Sequence, residues 1–145
     1  MADPTPYLGH QDRVTALLEI PLHRFLGVRL AVASDPYAGL LLEVASPALN
    51  QAELLHGGVV TALLDVASYL ALIPALEASE HAVTHHISVQ LLRPVSPGAG
   101  VVFQGQVVRL GRQVAFLHAE ARVHGSVVAT AQVTKTRLPP SDSPP

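Results

Sequence analysis

The chain has no cysteine and no tryptophan, and aromatic residues make up only 4% of its 145 positions. Without a thiol it can form no disulfide, offer no thiolate to a metal and present no cysteine nucleophile. With so few aromatic side chains, its core must be filled by Val, Leu and Ala, a composition that favours sheet. Charge is also scarce, at 14% of residues with a formal net charge of -2. That leaves no basic field to hold a polyanion, so nucleic acid is excluded as a partner. The opening "MADPTPYLGHQDR" lacks a basic stretch followed by an apolar one. No secretory signal is read there, and the expected location is the cytoplasm.

Apolar residues are abundant, at 49%. A chain of this length and composition folds as one domain with one core. The expected organisation is a tail over 1–9, a domain over 10–138 and a Pro- and Ser-rich tail over 139–145, because such ends bury too little surface to order themselves. Residues 10–20 carry Val14, Leu17 and Leu18 at helical spacing, with Pro21 expected to end the helix. "FLGVRLAVAS" and "AGLLLEVAS" read as two strands about the turn Asp35-Pro36-Tyr37-Ala38-Gly39. Four more strands are expected near 82–92, 100–109, 113–123 and 126–137. In the last, Ser126, Val128, Thr130, Gln132, Thr134 and Thr136 alternate with Val127, Ala129, Ala131 and Val133. The connections are too short for parallel crossovers, so the pairing should be mostly antiparallel. Between the two sets of strands runs "HGGVVTALLDVASYLALIP", residues 56–74, an apolar stretch with one charged side chain, Asp65. Thr61, Asp65 and Ser68 interrupt it and Pro74 ends it, which argues against a membrane span. A helix apolar on nearly every side must be surrounded, so the class is α+β, with a six-stranded sheet curled around one long helix.

The start of that helix carries His56-Gly57-Gly58. The first N–H groups of a helix have no internal partner, and glycine lets a ligand oxygen approach them in the field of the helix dipole. The same glycines also suit a tight loop-to-helix entry, and both readings stand on local sequence alone. Asp65 follows nine residues after His56, ~13.5 Å along the axis and on the opposite face. If both serve one substrate, the carboxylate must come from a second subunit across a twofold axis. The competing reading is an Asp at a helix edge or paired with a buried cation. No Lys or Arg lies within two turns on the helix to pair with it, which marks Asp65 as a functional candidate.

Asn50, His56-Gly57-Gly58, Asp65 and Ala67 together resemble the motif of hotdog-fold acyl-CoA thioesterases, in the phenylacetic-acid-degradation branch. "PLHRFLGVRL", "AVTHHISVQLLRP" and "GRQVAFLHAEARVHGSVVATAQVT" resemble the same family, extending the likeness over roughly 14–137. The resemblance implies the hotdog fold, no cofactor, and hydrolysis of an acyl-CoA thioester in a homodimer that pairs into a dimer of dimers. It implies that the Gly57 N–H, aided by Asn50, holds the carbonyl oxygen while His56 shapes the loop. Asp65 of the other subunit would act as general base or nucleophile, and the family's hydroxyl residue falls on Thr84. The family often has glycine three residues after the Asn, where this chain has Glu53, expected to lie exposed on the loop.

Other chemistries are weighed against this one. Of eight histidines, His81, His85 and His86 cluster, but neighbours on a strand point to opposite faces, so no metal site is expected. Ser68, Ser88 and Ser126 lie outside any nucleophile-elbow pattern. Gly58, Arg93 and Arg112 are weaker candidates for substrate binding, and Arg109, Lys135 and Arg137 are further cations for the phosphates of coenzyme A. A non-catalytic acyl-CoA binding module is the alternative function. A hotdog hydratase or dehydratase is less favoured, because the relatives that do that chemistry carry a His five residues after the acid and this chain has Leu70.

Overall fold

Pro21 starts a helix where it was expected only to end one. In the computed structural model, which describes residues 10–139, α1 spans His10–Leu18 and a second helix, α2, spans Pro21–Leu26. The expected tail over 1–9 and the tail beyond 139 lie outside the described residues. Proline sits well at a first helical position, where its missing N–H would have had no partner. Gly27, at φ 77°, then closes α2 in the left-handed conformation, its N–H donating to the Arg24 carbonyl. Phe25 and Leu26 therefore belong to a helix, and the first strand shrinks to β1, Arg29–Leu30, with β2 at Leu40–Glu43.

The long helix, α3, spans Gly57–Leu72. The remaining strands are β3 (His81–Leu91), β4 (Gly100–Leu110), β5 (Val114–Val123) and β6 (Ser126–Leu138). They form one six-stranded sheet in the order β1-β2-β4-β5-β6-β3, with every adjacent pair antiparallel. β5 and β6 meet through His124 and Gly125, at φ 47° and 78°, the pair of left-handed residues that a two-residue hairpin turn requires. β3 lies at one end of the sheet, so only one of its edges is paired.

The sheet curls around α3, and the core sits between them. Leu63, Leu64, Leu70 and Leu72 of α3 meet Val101 and Phe103 of β4, Leu117 of β5 and Val133 of β6, all essentially inaccessible to water. Each such side chain contributes roughly 1.5–3 kcal/mol relative to exposure. By length and composition alone the segment Gly57–Ala75 is apolar enough to cross a membrane, a property that core helices share. Its place inside the sheet accounts for that apolarity. Ser68 is wholly buried and donates to the Asp65 carbonyl at 2.6 Å, which satisfies its hydroxyl within the helix.

Three register shifts interrupt the ladders, one of them on β4 between Val107 and Arg109, and the other two alter the faces read from simple alternation. The β5–β6 register shifts between Ala121 and Arg122, which leaves Val128 extra on β6 and turns it into the core beside Ala129. The β3–β6 register shifts between Thr84 and His86, so His85 and His86 are both exposed instead of pointing to opposite faces. His85 Nδ1 is hydrogen-bonded to Thr136 Oγ1 at 2.7 Å, and no cluster with metal-ligand spacing occurs among the described residues.

At mid-helix the sheet and α3 approach so closely that Gly105 of β4 leaves no room for a side chain. A Cβ there would lie 2.4 Å from the Ala67 carbonyl oxygen and 2.8 Å from Ser68 Cα, both backbone atoms. Gly105→Ala is therefore expected to push α3 off the sheet and cost about 1–3 kcal/mol, read as a lower midpoint in urea with an unchanged slope.

Candidate active site

The loop that delivers the chain to α3 is organised by one side chain. Asn50 Oδ1 accepts the N–H groups of Ala52 at 2.9 Å and Leu54 at 3.1 Å, while the Asn50 N–H donates to the Leu54 carbonyl at 2.8 Å. With its oxygen engaged by the loop, Asn50 has only its amide nitrogen left to offer, as a donor. Glu53 sits in this loop exposed and at φ 56°. Glu53, at the position where the family resemblance implies glycine, thus adopts the conformation glycine favours, at a cost in backbone strain.

His56 is the N-cap of α3. Its Nδ1 accepts the Gly58 N–H at 2.8 Å, which fixes Nδ1 as the unprotonated ring nitrogen. The Gly58 N–H is therefore occupied, and Gly58 lines a hollow with Leu22, Leu26 and Val59, on a different side from Gly57. The Gly57 N–H remains, engaged by no protein acceptor among the described residues. Gly57 itself lines a 250 Å³ hollow with Asn50, Leu91, Arg93 and Val128. A Cβ on Gly57 would come within 2.8 Å of Leu91 Cδ1, so this glycine permits the close approach of the end of β3.

Asp65 is not the isolated carboxylate expected from the helix alone. Thr84 Oγ1, from β3, donates to its Oδ1 at 2.6 Å, and Lys135 Nζ, from β6, donates to the same oxygen at 2.8 Å. Lys135 also donates to Thr84 Oγ1 at 2.6 Å and lies 5.7 Å from the centre of the Tyr69 ring. The lysine is almost wholly buried, and burial holds its ammonium below the usual lysine pKa against the opposing pull of Asp65. The group faces a 560 Å³ pocket whose apolar wall includes Leu17, Ile20, Val66 and Tyr69, with His23 also on its lining.

Of the residues singled out from sequence, Asn50, Gly57 and Arg93 thus meet at one hollow, and Asp65 and Thr84 at another. Arg112 lies exposed in the β4–β5 turn and lines neither. Arg137 is held by Glu80, whose carboxyl that hydrogen bond keeps below its ordinary pKa, so it is a structural clamp between β6 and the start of β3. Lys135, weighed from sequence as a cation for the phosphates of coenzyme A, is the third member of the Asp65 cluster. The signal was present in β6, where position 135 shares the parity of Ala129, Ala131 and Val133 and so places a charge on the core face.

An acyl-CoA thioesterase N-terminal domain family matches residues 44–136, which takes in α3, Asp65, Thr84 and Lys135. Among solved structures, the TT0310 protein of Thermus thermophilus is 29% identical with a TM-score of 0.73, over 83% of this chain and 99% of its own. A point mutant of the phenylacetic acid degradation protein PaaI from the same organism is 28% identical with a TM-score of 0.71, over 82% of this chain and 100% of its own. A Haemophilus influenzae thioesterase, at 20% identity, shares the fold with a TM-score of 0.76 over 88% of this chain and 90% of its own. Comparison with curated proteins gives no match.

Relieving the strain at Glu53 provides a test of the loop. Glu53→Gly is expected to raise stability by about 0.5–1 kcal/mol, a few degrees in Tm, after the added chain entropy of glycine is offset. Thermal melting of the two proteins checks it.

Proposed function

We propose, from the premise that the chain belongs to the acyl-CoA thioesterase family and is a hotdog-fold thioester hydrolase of the PaaI-like kind, that it cleaves acyl-CoA at sites shared between two subunits. One protomer would hold the thioester carbonyl oxygen on the Gly57 N–H and the Asn50 amide. The other would bring Asp65. Acting on a water as general base, Asp65 takes its proton as the oxygen attacks the carbonyl carbon. Collapse of the tetrahedral intermediate then breaks the carbon–sulfur bond and expels the CoA thiolate, leaving the free acid. Acting directly as nucleophile, Asp65 would reach the same products through an anhydride that water opens.

The observation that carries this reading is the distribution of the two hollows along β3. The Asp65 hollow takes His81, Val83 and Thr84 from the start of the strand, and the Gly57 hollow takes Leu91 from its end. β3 is an edge strand with Val83 and Leu91 exposed. An antiparallel pairing of two β3 strands about a twofold near His86, the middle of His81–Leu91, sets position 84 of one opposite 88 of the other. Each Asp65 hollow is thereby carried toward the partner's Gly57 hollow, and the edge is closed. The resulting dimer is expected to pair into a dimer of dimers, as the family resemblance implies. Leu70, buried in the core, stands where a hydratase would need its histidine.

Asp65→Asn should lower CoA release by about 10²–10⁴-fold while the protein stays folded. Because the chain has no cysteine, a thiol reagent reports free CoA alone. Wild-type turnover in the variant would refute the role, and tight acyl-CoA binding by an inactive wild type would establish a binding module instead. The shared site has a separate test. Gly57→Pro deletes the critical N–H at a position where proline suits the first helical turn, and His56 already has the extended backbone that precedes proline. The added Cβ meets only Leu91 Cδ1, the far end of a flexible side chain that can turn aside. Mixed with Asp65→Asn and allowed to exchange, the two inactive chains should recover about a quarter of wild-type activity, since half the dimers hold one intact site of two. No recovery despite demonstrated exchange would overturn it.

A further inference from the structure

Both hydrogen bonds to the Asp65 carboxylate, from Thr84 Oγ1 and from Lys135 Nζ, fall on Oδ1. The three groups come from α3, β3 and β6, and Thr84 and Lys135 are direct cross-strand partners, so the lysine reaches the carboxylate both itself and through the threonine hydroxyl. The lysine side chain is 3% exposed and that of Asp65 37%, which makes the ammonium the buried member and the carboxylate the one that meets the pocket. A buried ion pair is a poor device for stability alone, because an apolar replacement of similar volume is commonly neutral or stabilising. Packing therefore gives no reason for a charge at this position of β6.

We infer that Lys135 is a positioning residue for thioester cleavage: with Thr84 it fixes Oδ1 of Asp65 and supplies the counter-charge, turning Oδ2 toward the pocket as the reacting oxygen. This inference rests on the role given to Asp65 above. A carboxylate held by one oxygen has its plane and its free oxygen set by the fold, so substrate binding need not orient it. Removing the ammonium should then act chiefly on turnover, because both of its hydrogen bonds, to Asp65 and to Thr84, serve the carboxylate, although its side chain also lines the pocket.

The test uses the full chain and a panel of acyl-CoA esters, followed by loss of thioester absorbance. Lys135→Met, close in volume and uncharged, is expected to lower kcat by roughly 10–100-fold, the usual effect of losing such a supporting contact, with KM nearly unchanged. Lys135→Cys introduces the only thiol of the chain. Alkylating it with 2-bromoethylamine rebuilds an ammonium of lysine length, whereas iodoacetamide leaves a neutral side chain. Recovery of kcat with the first reagent only is the expected result, and it stands even if the Met variant fails to fold. Equal recovery with both reagents, no recovery in either folded adduct, or a Met variant with wild-type kcat would overturn the inference. Asp65→Asn measured alongside separates the two claims: an active Lys135→Met beside an inactive Asp65→Asn sinks only the role of the lysine, whereas an active Asp65→Asn sinks both.

Discussion

The fold depends on keeping the leucine-rich side of α3 out of water. A sixteen-residue helix with leucines and alanines around most of its circumference cannot rest on a flat surface, so the sheet must bend round it. The bend is made possible where Gly105 lets β4 touch the helix backbone at Ala67, and the bulges at His85 on β3 and Val128 on β6 add local twist. Everything functional hangs on this arrangement. The helix start, the carboxylate in its third turn and the strands that meet them are placed by how α3 lies in the curl.

The same helix separates the two halves of the proposed chemistry. Its N-terminus offers one free N–H, at Gly57, because His56 has taken that of Gly58. Asp65 lies more than two turns along, among residues of β3 and β6. A rigid helix cannot bring its own start and its own third turn to one carbonyl carbon, which is why the proposed site draws on a second copy added at the unpaired edge of β3. The proposed acyl pocket has an apolar wall made by Ala16 and Leu17 of α1, by Ile20, and by Val66 and Tyr69 of α3.

Much of this is legible in the residues. The strand periods of β4, β5 and β6, the turn chemistry of "VHGS" and the apolar run of α3 point to an antiparallel sheet around one helix, because hydrophobic period and short connections are local properties. The glycines at the start of α3 and the single carboxylate inside it are visible for the same reason. What local pattern misjudges lies at irregularities. It makes Pro21 a stop when that residue opens a helix, and gives His85 and His86 opposite faces across a bulge. Glu53 in a glycine conformation is invisible from sequence, since a side chain tolerated at positive φ leaves no mark in composition.

The sequence by itself determined the class of fold, the central helix and the pair of features, a bare helix start and a lone acid, that belong to this chemistry. Those follow from short-range periodicity and from backbone groups that every helix leaves unpaired. Only the tertiary structure decided what surrounds the acid. Lys135 and Thr84 stand 70 and 19 residues from Asp65, and they reach it because β6 and β3 are neighbours in the sheet and α3 lies across them. Contacts between elements so far apart depend on strand order, register and the hand of the curl, which no single stretch of the chain encodes.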